Sequence, residues 1–291
     1  MNENDIAIKE SPILEFKNSN KWLSLAIDIL ILILVFYSLR ESLHFLYADD
    51  DLVLSLIKGT YFFHGITVRS VLEYLLTDFA SQVHAGRIMF GSYIVLFPIL
   101  LFNLVQYRIF ILLLICSNVW LLGKCIFQWT GSYRIKWVAM VISPLFFQMH
   151  FYFHHPILSY YGMMQFQVLV MLASMVFFWN YLEDQKAKWL ILSGLLYLYG
   201  LTIYEVEFVL LPVFPVLAYL KTRNIKKTFR YSILPLALCL TLMVVNLVNK
   251  LVIQNSANSY SGSSFNFDIV KIGLTTLNNY LRQFLYQPSL R

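Results

Sequence analysis

The chain has 291 residues, of which 59% are hydrophobic and 13% charged, and its mean hydropathy is +0.65; a soluble globular domain carries roughly 25% charged residues. That composition excludes a water-soluble fold and indicates an all-α membrane protein, because only helices and closed barrels satisfy their backbone within hydrocarbon and the apolar runs here are of helical length. The formal charge of +6 does not indicate a nucleic-acid partner, since Lys and Arg stand between apolar runs rather than along one soluble face.

Residues 1–21 are polar and of mixed charge and read as a cytoplasmic tail. No small-residue cleavage site follows the apolar run Ile29 to Leu39, so an uncleaved signal anchor is expected, spanning about 22–46. Asp28 falls near its cytoplasmic end, within expected reach of water, and is given no role.

A long outer segment, 47–107, comes next. Within it Val68, Val71, Leu72, Leu75, Leu76, Phe79 and Val83 recur at helical spacing, with Arg69, Glu73, Asp78, Gln82 and His84 on the other faces. Such a helix is expected to lie flat in the membrane interface. The apolar stretch Met89 to Val105 is long enough to cross or to lie on the membrane. With the N-terminus inside and this stretch not crossing, 13 Lys and Arg of residues 1–253 are cytoplasmic and 6 are outside. Letting it cross gives 5 inside and 14 outside, against the positive-inside bias. Crossing with the N-terminus outside gives 14 and 5, but Lys9, Lys17 and Lys21 flank the first span on its N-terminal side and oppose that orientation.

The preferred layout has about seven spans, near 22–46, 107–127, 137–153, 160–182, 189–204, 206–221 and 231–253, forming one module over 22–253. The fifth and sixth form a hairpin with Tyr204 to Glu207 at its outer apex, each arm only about 24 Å long at 1.5 Å per residue. Residues 254–291 read as an outer loop followed by a weakly amphipathic segment. Cys116, Cys125 and Cys239 lie in or beside apolar runs without CxxC spacing, which indicates neither disulfides nor a thiolate metal site.

The strongest chemical signal is Asp49, Asp50 and Asp51, three consecutive carboxylates beyond the outer end of the first span. Adjacent acids repel, which favours a raised pKa or a bound cation, the condition of a general base or a metal ligand. Helix capping is the competing reading, but one Asp suffices for a cap. Glu205, beside Tyr204 at the hairpin apex, is a functional candidate because an unpaired carboxylate at a membrane turn is costly, whereas Glu207 suits a solvated turn. Arg87, after Gly86, offers a fork of donors to a phosphate at headgroup depth or snorkels to the interface. All six histidines fall on the outer side in this layout, and His154 and His155 carry weight from their place in a short loop before Pro156.

This arrangement resembles the GT-C superfamily of membrane glycosyltransferases, whose donors are polyprenyl-phosphate sugars. The resemblance rests on the acids in Tyr47-Ala48-Asp49-Asp50-Asp51-Leu52, the long first outer loop, Gly86-Arg87, and Tyr204-Glu205 as in bacterial members, and covers 22 to about 265. It implies a seven-helix module in a bacterial plasma membrane, usually followed by further spans, so that a short member and a truncated product are both expected readings. It implies an Asp acting as general base on an acceptor hydroxyl of a glycan, lipid or protein, with inversion at the sugar carbon. Asp51 is the expected base, Asp50 orients it or shares a divalent cation with it, and Arg87 and the loop around His154 stabilise the departing phosphate. A transporter or lipid flippase and a non-catalytic membrane subunit are the rival readings; against the first, the predicted spans are uncharged at mid-depth and show no repeat.

Overall fold

The structure, a computed structural model, describes residues 21–40, 58, 66–84, 90–146, 162–203 and 210–253. Among these the chain is all helical, with no strand: α1 Lys21–Ser38, α2 Val68–His84, α3 Phe90–Leu101, α4 Leu104–Thr130, α5 Tyr133–Ile142 with a 3-10 turn Ser143–Phe146, α6 Met163–Asp184, α7 Ala187–Leu201, α8 Val213–Thr222 and α9 Ile225–Ile253. Three stretches are long and apolar enough to cross a membrane, Val105–Thr130, Met163–Asp184 and Ile225–Asn249, and Trp22–Ser38, Ala187–Leu201 and Val213–Thr222 are shorter apolar helices. The protein is a helical membrane protein.

Local sequence explains the helix ends. Asn103 and Gln106 start α4 with a reciprocal cap: the Asn103 side chain accepts from the Gln106 N–H at 2.9 Å and the Gln106 side chain accepts from the Asn103 N–H at 3.0 Å. α4 stops at Gly131, whose φ of 68° suits glycine, and Ser132 then caps α5 through the Ile135 N–H. Because the turn is this short, α5 folds back along α4. The helices approach so closely that a Cβ on Gly123 would lie 2.6 Å from the Met140 side chain.

The register of the bundle follows from its polar contacts. Asn118 donates to the Gln165 carbonyl at 2.8 Å and the Cys125 thiol reaches the Leu172 carbonyl at 3.7 Å, a constant offset along the two chains, so α4 and α6 run parallel. Met163 therefore starts α6 about halfway along α4, leaving the first part of α4 to α1, α2 and α3. α7 returns antiparallel to α6, with Gln167 donating to the Gly200 carbonyl at 3.4 Å at one end, Ser174 donating to the Ser193 carbonyl at 2.8 Å in the middle, and Phe177 stacked on Trp189 at the other. Two apolar cores result. One joins α1, α2, α3 and the first part of α4 around Leu39, Val71, Leu100, Tyr107 and Ile111, and the other joins α6 to α9 around Phe178, Tyr197 and Phe214.

Several boundaries differ from the expectations. α4 begins at Leu104, where the Asn103–Gln106 cap sets its start, and α9 at Ile225, where Lys226, Lys227 and Arg230 extend an apolar helix at its polar end, each earlier than expected. Within the arm expected over 206–221, Val213–Thr222 is helical, with Pro212 and Pro215 at its start, where proline costs no helical hydrogen bond, and 206–209 lie outside the described residues. α3, at 12 residues, measures about 18 Å, short of the ~30 Å hydrocarbon thickness.

Asp28 corrects the sequence reading most directly. It is not at water's reach but buried, in an ion pair with the Lys136 ammonium, and its other oxygen accepts from the Trp137 Nε1–H at 3.0 Å. Asp28 lies on the α1 stripe of Ser24, Asp28, Ile31, Val35 and Leu39, all buried, so the pair ties α1 to α5 along that stripe. A lone charge in this setting is strongly unfavourable, whereas an apolar pair of similar volume is tolerated. Asp28→Leu or Lys136→Met alone is therefore expected to cost about 3–5 kcal/mol, read as a fall in thermal stability of the purified protein. Asp28→Leu/Lys136→Met together should recover most of that loss. A double variant no more stable than the singles would show that the pair is not the source of the coupling.

Candidate functional site

A layer of buried polar groups crosses the bundle where α6 starts and α7 ends. Asn118 of α4 donates to Gln165 of α6, to its carbonyl at 2.8 Å and to its side-chain oxygen at 3.2 Å. Gln167 donates to the Gly200 carbonyl of α7. Tyr199 donates its hydroxyl to the Gly91 carbonyl of α3 at 3.0 Å, and the Gly91 N–H donates to the Thr202 carbonyl at 3.0 Å. Asn118, Gln165, Gln167 and Thr202 are buried, so these bonds form away from solvent and fix the level of four helices against each other.

Gly91 permits the tightest of these contacts. A Cβ there would fall 2.5 Å from Thr202 Oγ1 and 3.0 Å from the Thr202 carbonyl carbon, so a backbone must yield for any larger residue. Gly162 enters α6 at the same level, and a Cβ on it would meet Ile111 at 3.1 Å.

Beside the layer, α2 packs on α3. Tyr93 donates its hydroxyl to Asp78 at 2.7 Å, and burial, with that carboxylate adjacent, pushes the hydroxyl well above its ordinary pKa and keeps it a donor. Between the two helices lies an apolar cavity of about 450 Å³ lined by Leu72, Leu75, Leu76, Phe79, Ile94 and Phe97 among others, with no group able to do proton chemistry in its wall apart from Tyr93. Lys58 donates to the Phe102 carbonyl at the turn into α4, and desolvation holds its ammonium below the usual lysine value. Arg108, in the first turns of α4, is 4% exposed.

The sequence-predicted residues Asp49, Asp50, Asp51, Arg87, His154, His155, Tyr204 and Glu205 all lie outside the described residues. In the chain Arg87 stands four residues before Gly91, His155 seven before Gly162, and Tyr204 two after Thr202. Three of the four segments that carry candidates thus adjoin the polar layer in sequence, and Asp49 to Asp51 fall between α1 and Lys58. Among the described residues no group of three His, Cys, Asp or Glu comes together, and a cation held by Asp50 and Asp51 would sit outside them.

Sequence reasoning missed Arg108, Asn118, Gln165 and Gln167. Their signal is positional: Arg108, Ile111, Ile115 and Asn118 share one helical stripe, and a polar residue on an otherwise buried stripe of a membrane helix is a site candidate.

The Gly91 junction gives a direct test. Gly91→Ala is expected to lower stability by about 1–3 kcal/mol through overpacking, and Thr202→Ala should recover only part of it, because the carbonyl carbon remains in place. Thermal unfolding of the three variants measures this, and a neutral Gly91→Ala would mean that α3 and α7 are not held at this contact. Comparison with family models, with curated proteins and with solved structures finds no match to this chain.

Proposed function

We propose that the protein is a membrane glycosyltransferase of GT-C type that moves a sugar from a polyprenyl-phosphate donor to an acceptor hydroxyl, inverting the anomeric carbon. The reading takes a seven-span layout with the N-terminus cytoplasmic and the polar layer toward the opposite side, in a bacterial plasma membrane. The observation that supports it is that Gly91, Gly162 and Thr202, which stand next in sequence to the segments carrying Arg87, His154 and His155, and Tyr204 and Glu205, lie on one hydrogen-bonded level of the bundle. A layer that fixes four helices gives loops at its edge a rigid base, which positioned chemistry requires.

In this mechanism Asp51 removes the proton of the acceptor hydroxyl as its oxygen attacks the anomeric carbon from the face opposite the phosphate. The bond from that carbon to the lipid-phosphate oxygen breaks, and the electron pair leaves with the phosphate. Arg87 and the His154 segment offset the charge that grows there, and the phosphate needs little proton assistance as a leaving group. Asp50 orients Asp51, alone or through a divalent cation.

A second reading, a transporter, draws support from the buried charges Asp28, Lys136 and Arg108, since ionisable residues inside a bundle mark transport pathways by default. The Asp28 carboxylate is already engaged by Lys136 and Trp137, as in a structural tie rather than a site that binds and releases cargo.

The two readings separate by turnover. Asp51→Asn is expected to lower transfer from labelled polyprenyl-phosphate sugars by ~10²- to 10⁴-fold, with thermal stability and donor binding nearly intact. Loss of a helix cap would instead cost about 1 kcal/mol of stability and leave turnover in place. Asp49→Asn should be the mildest of the three acid variants. Near-normal turnover in Asp51→Asn removes it as the base, and absence of lipid-phosphate release by the parent protein from any such donor removes the reading itself.

In the same assay Glu205→Gln should lower transfer while Glu207→Gln is mild. Equal, negligible effects would return Glu205 to a solvated turn.

A further inference from the structure

The end of the bundle opposite the polar layer carries a different chemistry. The ten residues Lys221 to Arg230 contain five cations, Lys221, Arg223, Lys226, Lys227 and Arg230, and no acid. They form the turn from α8 into α9, with Arg223 in the left-handed region at φ 51°. Lys221 reaches Glu183 at 3.0 Å, while Arg223, Lys226, Lys227 and Arg230 are exposed.

Two further features fix what this patch meets. Large apolar side chains stand among the cations: Ile225 is 65% and Phe229 64% exposed. An acidic soluble partner has no use for such residues, whereas a bilayer interface takes apolar side chains into its acyl boundary and cations among its headgroups.

The turn is also level with a belt of aromatic rings. Lys221 lies over Trp179 at 5.1 Å, Tyr181 packs edge-on against Tyr231 at 5.8 Å, and Trp189 stacks on Phe177 nearby. Tyr and Trp concentrate at the headgroup level, so the cations stand at phosphate depth.

We propose that the α8–α9 turn is a docking surface for anionic phospholipid headgroups, held by Lys226, Lys227 and Arg230 with Ile225 and Phe229 inserted beside them. The positive-inside bias explains why such residues stay on one side, but not why the cations are packed into one turn with exposed apolar residues between them. A helix that begins with Lys226 and Lys227 and no acid opposes its own dipole, and phosphate groups at the turn relieve that conflict. This inference is independent of the glycosyl-transfer reading.

The test uses the full chain in zwitterionic nanodiscs doped with dansyl phosphatidylglycerol or dansyl phosphatidylcholine, read by energy transfer from tryptophan. The anionic probe should be preferred, and the preference should fade as salt shortens the range of the attraction. Lys226→Gln/Lys227→Gln/Arg230→Gln should weaken association of the anionic probe by about fivefold per cation, roughly 100-fold together. Lys226→Arg/Lys227→Arg/Arg230→Lys should retain it. Lys186→Gln/Lys188→Gln should change it less, because Lys186 pairs with Asp184 at 3.3 Å and Lys188 lies over the Trp189 ring at 4.6 Å. Equal association of both probes, a preference insensitive to salt, or a preference kept by the glutamine variant would each overturn the proposal. A preference insensitive to salt in the parent chain overturns the proposal even where the glutamine variant fails to fold.

Discussion

The fold depends on how a nearly charge-free bundle handles the few charges inside it. Asp28 and Lys136 come from helices more than a hundred residues apart in sequence, and neither could be buried without the other. Their pairing, with the Trp137 N–H completing the carboxylate, sets the register of α1 on α5, and α5 is tied to α4 by the Gly123 contact. The same logic recurs without charge in the polar layer, where Asn118, Gln167 and Tyr199 each donate to a carbonyl of a neighbouring helix. In apolar surroundings such bonds specify which level of one helix faces which level of the next, something that Leu and Ile packing leaves degenerate.

The molecule is thereby polarised along its axis. One end collects the turns after α4, α6 and α8 with their cations and aromatic rings. The other collects the start of α6, the end of α7 and the Gly91 contact. The first end has the composition of a headgroup-facing surface. The second gathers the buried amides, and Gly91, Gly162 and Thr202 there stand next in sequence to the segments that carry Arg87, the histidine pair and Glu205. Positive-inside charge placement would keep these two ends in one orientation across a membrane.

Much of this was legible in the sequence. The helical membrane class follows from composition, and α4, α6 and α9 follow from uncharged runs long enough to cross a bilayer. The amphipathic helix over Val68–His84 was visible in its spacing, as the burial of Val71 and Leu75 bears out. What stayed hidden was pairing. A single Asp near a helix end reads as solvated until its partner is known, so Asp28 was assigned to water although it binds Lys136. Arg108 was counted only as an outer cation flanking a span, and Asn118 disappeared into an apolar run, because hydropathy averages over a helix and does not record which stripe a polar residue occupies. The acids Asp49 to Asp51, Arg87, the histidine pair and Glu205 lie outside the described residues. The grouping of Arg87, the histidine pair and Glu205 rests on chain adjacency to the polar layer, which Asp49 to Asp51 do not share.

The central claim is that the two ends of this axis face opposite sides of a membrane, with the cationic turns inside. The three natural cysteines are buried or half-buried and contribute little background. Thr130→Cys sits at the exposed end of α4 beside the cationic turns, and Thr77→Cys on the exposed face of α2. In intact cells an impermeant thiol reagent is predicted to label Thr77→Cys at once and Thr130→Cys only after the membrane is opened. Labelling of Thr130→Cys in intact cells, with Thr77→Cys protected, would contradict the orientation and the side of the membrane on which the chemistry is placed.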